Sequence, residues 1–175
     1  MNLAVTAIGR DRPGIVAAIT AALLDAGGNV DDSQMSILHG HFAVMLIVSL
    51  PGDTHLESLE ARLEDVGREF ELGGITLSPV ESLNRGAAPT HVLTVYGADR
   101  PGIVHDTAAA LASLNVNITD LRTRRTGSSD AALYTLMVEV AVPAGVENDL
   151  DLALNGLRDS KQVEARLAEL DSGVF

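Results

Sequence analysis

The sequence predicts an α+β fold in which one βαββαβ unit occurs twice, the order of ferredoxin-like folds. The hexapeptide DRPGIV stands at Asp11–Val16 and again at Asp99–Val104. In both copies it follows a short apolar run and opens a segment with helical spacing of apolar residues. In both copies two further strand-like runs joined by a turn come next. We therefore expect each unit to form a four-stranded antiparallel sheet with two helices on one face.

The duplication extends well beyond the hexapeptide. Its offset of 88 residues (99 − 11) also pairs Asn29 with Asn117. Pro51 pairs with Pro143 at an offset of 92, so the second copy carries four extra residues, which we place in the hairpin around RTGSSDA. A solenoid would need three or more shorter repeats. The sequence therefore predicts two domains, residues 1–83 and 90–175, joined by a linker at 84–89.

Each predicted element follows from apolar spacing and from the position of Pro and Gly. In the first copy we expect a strand at Leu3–Ile8, a helix from Pro13 to about Ala26, a hairpin of strands at Asn29–Leu38 and Phe42–Leu50, a helix after Pro51 and a strand at Gly74–Val80. In the second copy the matching elements are His91–Tyr96, a helix from Pro101 to about Leu114, strands at Asn117–Arg125 and Ala131–Val142, a helix with Leu150, Leu154 and Leu157 on one side, and a strand near Gln162–Leu170.

Two details of this prediction concern the helix starts and the central strands. Pro13 and Pro101 are each expected at the first helical position, where a missing N–H is harmless. The run Phe42–Leu50 is apolar on both faces, which indicates a central strand with one face under the helices and the other partly covered by something else.

Composition excludes several classes of protein. The chain has 12 basic and 24 acidic residues, a formal net charge of −12, which opposes contact with nucleic-acid phosphates. It has no Cys, so disulfides and thiolate catalysis are excluded. The longest apolar run, Phe42–Leu50, is far shorter than the ~20 residues that span a membrane. The N-terminus does not read as a signal peptide. We expect a cytoplasmic protein without membrane contact.

The DRPG loop has the chemistry of a small-anion site. The first N–H groups of a helix lack intrahelical partners and lie at the positive end of its dipole, so they attract a carboxylate. Gly14 has no side chain that would keep a ligand from these groups. An amino acid also carries an ammonium group, for which Asp11 and Asn29 are candidate acceptors if the second strand lies beside the loop. The alternative is that Asp11 satisfies loop N–H groups and Pro-Gly simply starts a helix.

The combination of the DRPG loop, the steps GGNV and NVNI into the second strand, and the βαββαβ order resembles the ACT domain family over nearly the whole chain. The resemblance implies regulatory modules that bind amino acids at interfaces between paired modules, with the loop and the second-strand Asn near the ligand. It implies the following ligand-binding residues: Asp11, Arg12, Pro13, Gly14, Ile15, Val16, Asn29, Val30, Asp99, Arg100, Pro101, Gly102, Ile103, Val104, Asn117 and Ile118.

A chain of two such units resembles the glycine cleavage system transcriptional repressor family. That resemblance implies a regulator that senses an amino acid and acts through a protein partner, such as a transcription factor, without a DNA-binding domain of its own. It implies no cofactor and no metal. Similar sequences occur in the ACT segments of formyltetrahydrofolate deformylases, but we expect no deformylase domain in this protein.

Three further features of the sequence have interpretations other than ligand binding. His39 and His41 are read as flanking a hairpin turn rather than as metal ligands, and His105 as a surface side chain beside the second loop. The basic run Arg122–Arg125 indicates a partner contact or a charged edge strand. No GxSxG, Walker A or GxGxxG motif is present, so we expect no enzyme.

The functional hypothesis is therefore an amino-acid sensor, expected to form a homodimer. Two alternatives stay open: a scaffold that binds no ligand, and an orphan regulatory subunit of an amino-acid biosynthetic enzyme.

Overall fold

The structure is a computed structural model and describes residues 1–81, 83, 86–128 and 132–170. The chain divides into two compact units, Met1–Asn84 and Arg85–Phe175. The predicted linker at 84–89 lies where the units meet along the chain. Its bounds stay a prediction, because positions 84 and 85 are outside the described residues.

The first unit has the predicted order of elements. They are β1 (Asn2–Arg10), α1 (Ile15–Asp25), β2 (Asn29–Leu38), β3 (His41–Ser49), α2 (Leu56–Glu69) and β4 (Leu72–Pro79). The strands form one antiparallel sheet in the order β2-β3-β1-β4. β1 pairs with both β3 and β4, so it lies inside the sheet and β2 lies at an edge.

The second unit repeats this architecture. Its elements are β5 (His91–Ala98), α3 (Ile103–Ser113), β6 (Asn117–Thr126), β7 (Leu133–Ala141), α4 (Glu147–Lys161) and β8 (Val163–Glu169). Its antiparallel sheet has the order β6-β7-β5-β8. The predicted α+β class and the duplicated βαββαβ unit are confirmed.

Each core lies between the sheet and its two helices. Alternate residues of β1 are buried, which is the period of two that a strand with one covered face requires. Leu59 and Leu63 of α2 close this core from the helix side, as their spacing predicts. In the second unit Leu150 and Leu154 of α4 have the same role and are fully buried. Helical and strand periodicity therefore specify the same buried face.

The turn between β2 and β3 is a two-residue hairpin, so the turn predicted at Gly40 is confirmed, but His39 lies in the turn rather than beside it. Leu38 pairs with His41 across it, and both His39 and Gly40 have positive φ, 50° and 78°. Positive φ at both central residues matches the twist of the flanking strands. The corresponding hairpin of the second unit contains the proposed four-residue insertion, and positions 129–131 of it lie outside the described residues.

The prediction of Pro at the first helical position is wrong. α1 begins at Ile15 and α3 at Ile103, two residues later than predicted. The intervening Gly14 is in the left-handed conformation with φ of 100°, which Gly adopts without steric cost. Pro13 therefore belongs to the turn that precedes the helix.

The side of each sheet that faces away from the helices is open. In the first unit Ile8 and Met45 lie on this side and are 58% and 51% exposed. The partial cover that the sequence predicts for the second face of β3 stays a prediction. Among the described residues no helix is long and apolar enough to cross a membrane.

Candidate functional site

The β1–α1 loop is held against the β2–β3 turn. The Asp11 N–H donates to the Gly40 carbonyl oxygen over 2.9 Å, and the Ala18 N–H donates to the Gly14 carbonyl oxygen over 2.9 Å as the first helical hydrogen bond. The N–H groups of Ile15 and Val16 precede that bond and have no acceptor within the helix. No side chain caps this helix start.

This arrangement does not support the alternative in which Asp11 satisfies the N–H groups at the start of α1. Ile15 is 1% exposed as a whole residue and Val16 is 41% exposed, so Val16 is the accessible residue of the two. N–H groups that no side chain caps, at a helix start beside a carboxylate, can receive the two ends of an amino acid zwitterion.

Two residues from the end of α2 flank the first loop. The Arg12 Nη2 lies 2.6 Å from the Glu71 Oε2, so this guanidinium is already paired. A Cβ placed on Gly14 would lie 3.4 Å from the ring of Phe70. The first loop therefore has an aromatic wall and a neutralised arginine.

The second loop has the same pattern of backbone hydrogen bonds as the first loop, but different side chains surround it. The Asp99 N–H donates to the Ala132 carbonyl oxygen over 3.0 Å, and the Asp106 N–H donates to the Gly102 carbonyl oxygen over 2.8 Å. The Asp99 Oδ2 also lies 2.7 Å from the Arg125 Nε. This carboxylate is therefore partly neutralised, whereas Asp11 has no ion pair among the described residues.

Lys161 lies beside the start of α3. Its Nζ lies 2.8 Å from the Asp106 Oδ2 and donates to the Pro101 carbonyl oxygen over 3.3 Å. The hydrogen bond from Lys161 lowers the pKa of Asp106 below its usual value of 3.8; burial acts in the opposite direction, and the charges of Lys161 and His105 lower the pKa further. An ammonium group thus stands where the first unit has Phe70.

A cleft of about 260 Å³ opens beside the second loop. It is lined by five of the predicted residues together with His105 and Tyr134; the five are Asp99, Arg100, Gly102, Ile103 and Val104. His105 was read from the sequence as a surface side chain; it is exposed and also borders this cleft. The structure thus brings the predicted loop residues of the second copy together around one cleft.

The second-strand asparagines are not brought to these loops within a unit. Asn29 pairs with Ser49 at one end of the sheet, whereas Arg10, next to the loop, pairs with His41 at the other end. The length of β1 separates them, about 26 Å for its nine residues. Asn29 donates instead to the Asp31 Oδ1 over 3.1 Å.

The same placement holds for the other second-strand candidates. Val30 follows Asn29 on β2, and Asn117 and Ile118 open β6 opposite Ala141 and Val140. These residues can join a site at a DRPG loop only when another copy of the module supplies them.

The sequence prediction missed four neighbours of the loops, Phe70, Lys161, Arg125 and Tyr134. Tyr134 on β7 occupies the position of Phe42 on β3, because Tyr134 pairs with Gly97 and Phe42 pairs with Gly9. Aligning the two copies at the offset of 92 residues also matches Phe42 with Tyr134, so the sequence alone could have revealed this substitution.

The basic run Arg122–Arg125 lies on β6, which is an edge strand, as one of the two predicted interpretations requires. Arg122 pairs with Asp120 over 2.9 Å, on the same strand. His39 lies in the hairpin turn and His41 begins the strand after it, and the described residues contain no group of three metal-ligating side chains.

Comparison with protein families places both units. The family model described as ACT domain matches residues 2–74, and a second ACT domain model matches residues 91–152. Together these matches cover most of the chain, and each lies within one of the two compact units. The chain belongs to the ACT domain family, as a tandem ACT regulatory protein.

Relatives extend the comparison to whole chains. The glycine cleavage system transcriptional repressor of Escherichia coli is 28% identical over 148 residues, which cover 83% of this chain and 77% of that protein. The crystal structure of an unknown protein from Galdieria sulphuraria is similar, with a TM-score of 0.77 and 27% sequence identity. The similar region covers 97% of this chain and 98% of that chain. Phosphoserine phosphatase SerB2 of Mycobacterium tuberculosis is 25% identical over 177 residues, but these are 41% of that protein.

Proposed function

We propose that this tandem ACT protein senses a free amino acid at its DRPG loops and passes the signal to a protein partner. The observation that carries the proposal is the loop itself, in which a carboxylate, Asp11 or Asp99, stands beside helix N–H groups that no side chain caps. The N–H groups bind the carboxylate of the amino acid, and the aspartate accepts from its ammonium group.

The partner is a protein of a regulatory pathway. A related chain is a transcriptional repressor of the glycine cleavage system, and this supports a transcription factor as the partner and amino-acid metabolism as the controlled process. The net charge of −12 opposes direct binding to nucleic acid. The protein acts in the cytoplasm, where both the free amino acid and such a partner are found, and it functions as a homodimer.

Sensing requires that ligand binding and partner binding be coupled. A ligand shifts the affinity for a partner only if it binds one arrangement of the modules better than another. The same protein then needs no catalytic residues, and we propose that it is not an enzyme. The similarity to a phosphatase is consistent with this proposal, because the region that the two proteins share is only 41% of the phosphatase.

The test is a thermal-shift screen of the purified chain against the twenty amino acids at millimolar concentration, with hits confirmed by calorimetry. A ligand at a hundredfold excess over its Kd stabilises the native state by about 2.7 kcal/mol. Asp11→Ala and Asp99→Ala should abolish or weaken binding in a folded protein. Asp151→Ala, an exposed carboxylate on α4, is the matched control and should bind normally. A flat screen would refute sensing and favour the scaffold.

A further inference from the structure

The open face of the first unit is the side of its sheet that α1 and α2 leave uncovered. Residues paired across neighbouring antiparallel strands share a face, so Ile8, Thr6 and Met45 lie together on it. A groove of about 500 Å³ runs along this side, between Gln34 and Ser36 on β2 and Thr76 on β4. None of the residues that line it is charged.

The second unit shows that this lack of charge is not a property of the fold. The register places Arg122 and Arg124 where the first unit has Gln34 and Ser36. It likewise places Arg166 opposite Thr94, where Thr76 stands opposite Thr6.

Glu139 takes the place of Ile47, and Glu164 that of Gly74. The open side of the second sheet therefore carries charged side chains on three of its strands, β6, β7 and β8, and the open side of the first sheet carries none at its centre. In a chain with a net charge of −12, an uncharged apolar face is a place where two copies can meet without repulsion.

The ends of the open face carry opposite charges. Arg10 ends β1 beside the β2–β3 turn, and Asp32 lies near the other end of the sheet on the neighbouring edge, paired with Ile47. β3 lies between β1 and β2. On β3, Arg10 pairs with His41 and Asp32 pairs with Ile47. The midpoint between these two positions is next to Met45. The face is therefore complementary to a second copy that is related to it by a two-fold axis lying in the interface plane, through this midpoint and perpendicular to the line from Arg10 to Asp32.

We propose that the open face of the first unit is a homodimer surface, on which a second copy of the chain docks with its own open face. The two-fold axis passes near Met45, and Arg10 of each copy lies over Asp32 of the other. The sheet has four strands spaced ~4.8 Å apart, with about nine residues per strand and a rise of ~3.3 Å per residue, so docking of two such faces buries roughly 1,100 Å² counted over both copies. That area is above the roughly 1,000 Å² expected of a specific interface.

This inference rests on the proposed self-association and is independent of amino-acid binding. The first experiment compares the molar mass of the wild-type chain, Met45→Lys and Met137→Lys by light scattering after size exclusion. Met137 is the matched control, because it holds the same position on the second sheet and is 49% exposed against 51% for Met45. The expected result is a dimeric wild type, a halved mass for Met45→Lys and an unchanged mass for Met137→Lys.

A charge swap tests the orientation. Arg10→Asp and Asp32→Arg should each weaken the dimer, because each places like charges opposite one another. The double variant should restore it, a rescue that a structural role of either side chain would not produce. Circular dichroism of every variant separates dissociation from unfolding. If Met45→Lys fails to fold, Gln34→Arg with Ser36→Arg replaces it, since the second sheet tolerates arginine at both positions.

Each contrary outcome overturns a defined part of the inference. A monomeric wild type refutes self-association itself, whatever the amino-acid screen shows. A dimer that survives Met45→Lys but dissociates with Met35→Lys, on the helix side of edge strand β2, places the interface at the sheet edge and refutes the open face. Dissociation by Met137→Lys assigns the contact to the second sheet.

Discussion

Lys161 stands over Gly102 where Phe70 stands over Gly14. A Cβ on Gly102 would lie 2.9 Å from the Lys161 Nζ, and one on Gly14 would lie 3.4 Å from the Phe70 ring. Both residues come from the end of the second helix of their unit, so the fold supplies the same position twice with different chemistry. The two loops therefore differ in the side chain that stands beside their helix starts.

The first prediction concerns this inequality. Lys161→Phe gives the second loop the neighbour of the first, and we expect the affinity of the second loop for an amino acid to fall about fivefold, because the change removes a paired ammonium and leaves the Asp106 carboxylate unpaired beside the helix start, an effect of about 1 kcal/mol on carboxylate binding. Calorimetry measures the change. Phe70→Lys is the reciprocal variant and should strengthen binding at the first loop. An unchanged affinity in both variants would show that this position does not face the ligand.

The second prediction concerns Asp99. Because Arg125 holds its carboxylate at 2.7 Å, Arg125→Ala should free Asp99 for the ammonium group of a ligand and raise affinity at the second loop about two- to fivefold. Arg122→Ala is the control, since Arg122 pairs with Asp120 away from the loop. Titration calorimetry of both variants distinguishes them. Weaker binding in Arg125→Ala would instead make Arg125 a ligand contact.

The sequence predicts the sheets and helices well because their signals are local. Apolar residues with a period of two on β1, and Leu59 and Leu63 one helical turn apart on α2, specify the buried faces directly. Because the unit is repeated, the same order of strands and helices can be predicted from each copy. The start of α1 was missed because a left-handed φ at Gly14 is a property of the turn and leaves Pro13 outside the helix.

The site is harder to predict because it joins distant segments. The Arg125–Asp99 pair depends on the register of β6 against β7 and on where the β5–α3 loop meets that hairpin. The position of Asn29 follows from topology: α1 runs back along β1, so the strand after it begins at the far end of the sheet. The order of elements contained that information, and the residue types alone did not.

The third prediction concerns Gly14. Gly14→Ala forces an L side chain to φ of 100° and should destabilise the protein by about 1–2 kcal/mol. Urea denaturation measures the change. Gly52→Ala is the control, because no atom lies within 4 Å of its added Cβ and its φ is not in the left-handed range. Equal stability of the two variants would mean that the loop relaxes to another conformation.

The fourth prediction concerns pH. The pKa of Asp106 is lowered in the folded protein by its hydrogen bond from Lys161, so the native state binds this proton less readily than the unfolded state. The contribution of the pair to stability is therefore present above the usual pKa of 3.8 and is lost as the pH falls through the lowered value.

Asp106→Asn removes this dependence. The free energy of unfolding of the wild type should exceed that of the variant at neutral pH, and the difference should shrink as the solution is acidified below pH 3.8. Urea denaturation at a series of pH values measures it. Asp151→Asn, exposed on α4 and outside any ion pair of the described residues, is the control and should show a much smaller change. A difference that grows on acidification would reverse the sign of the coupling and rule out Lys161 as its cause.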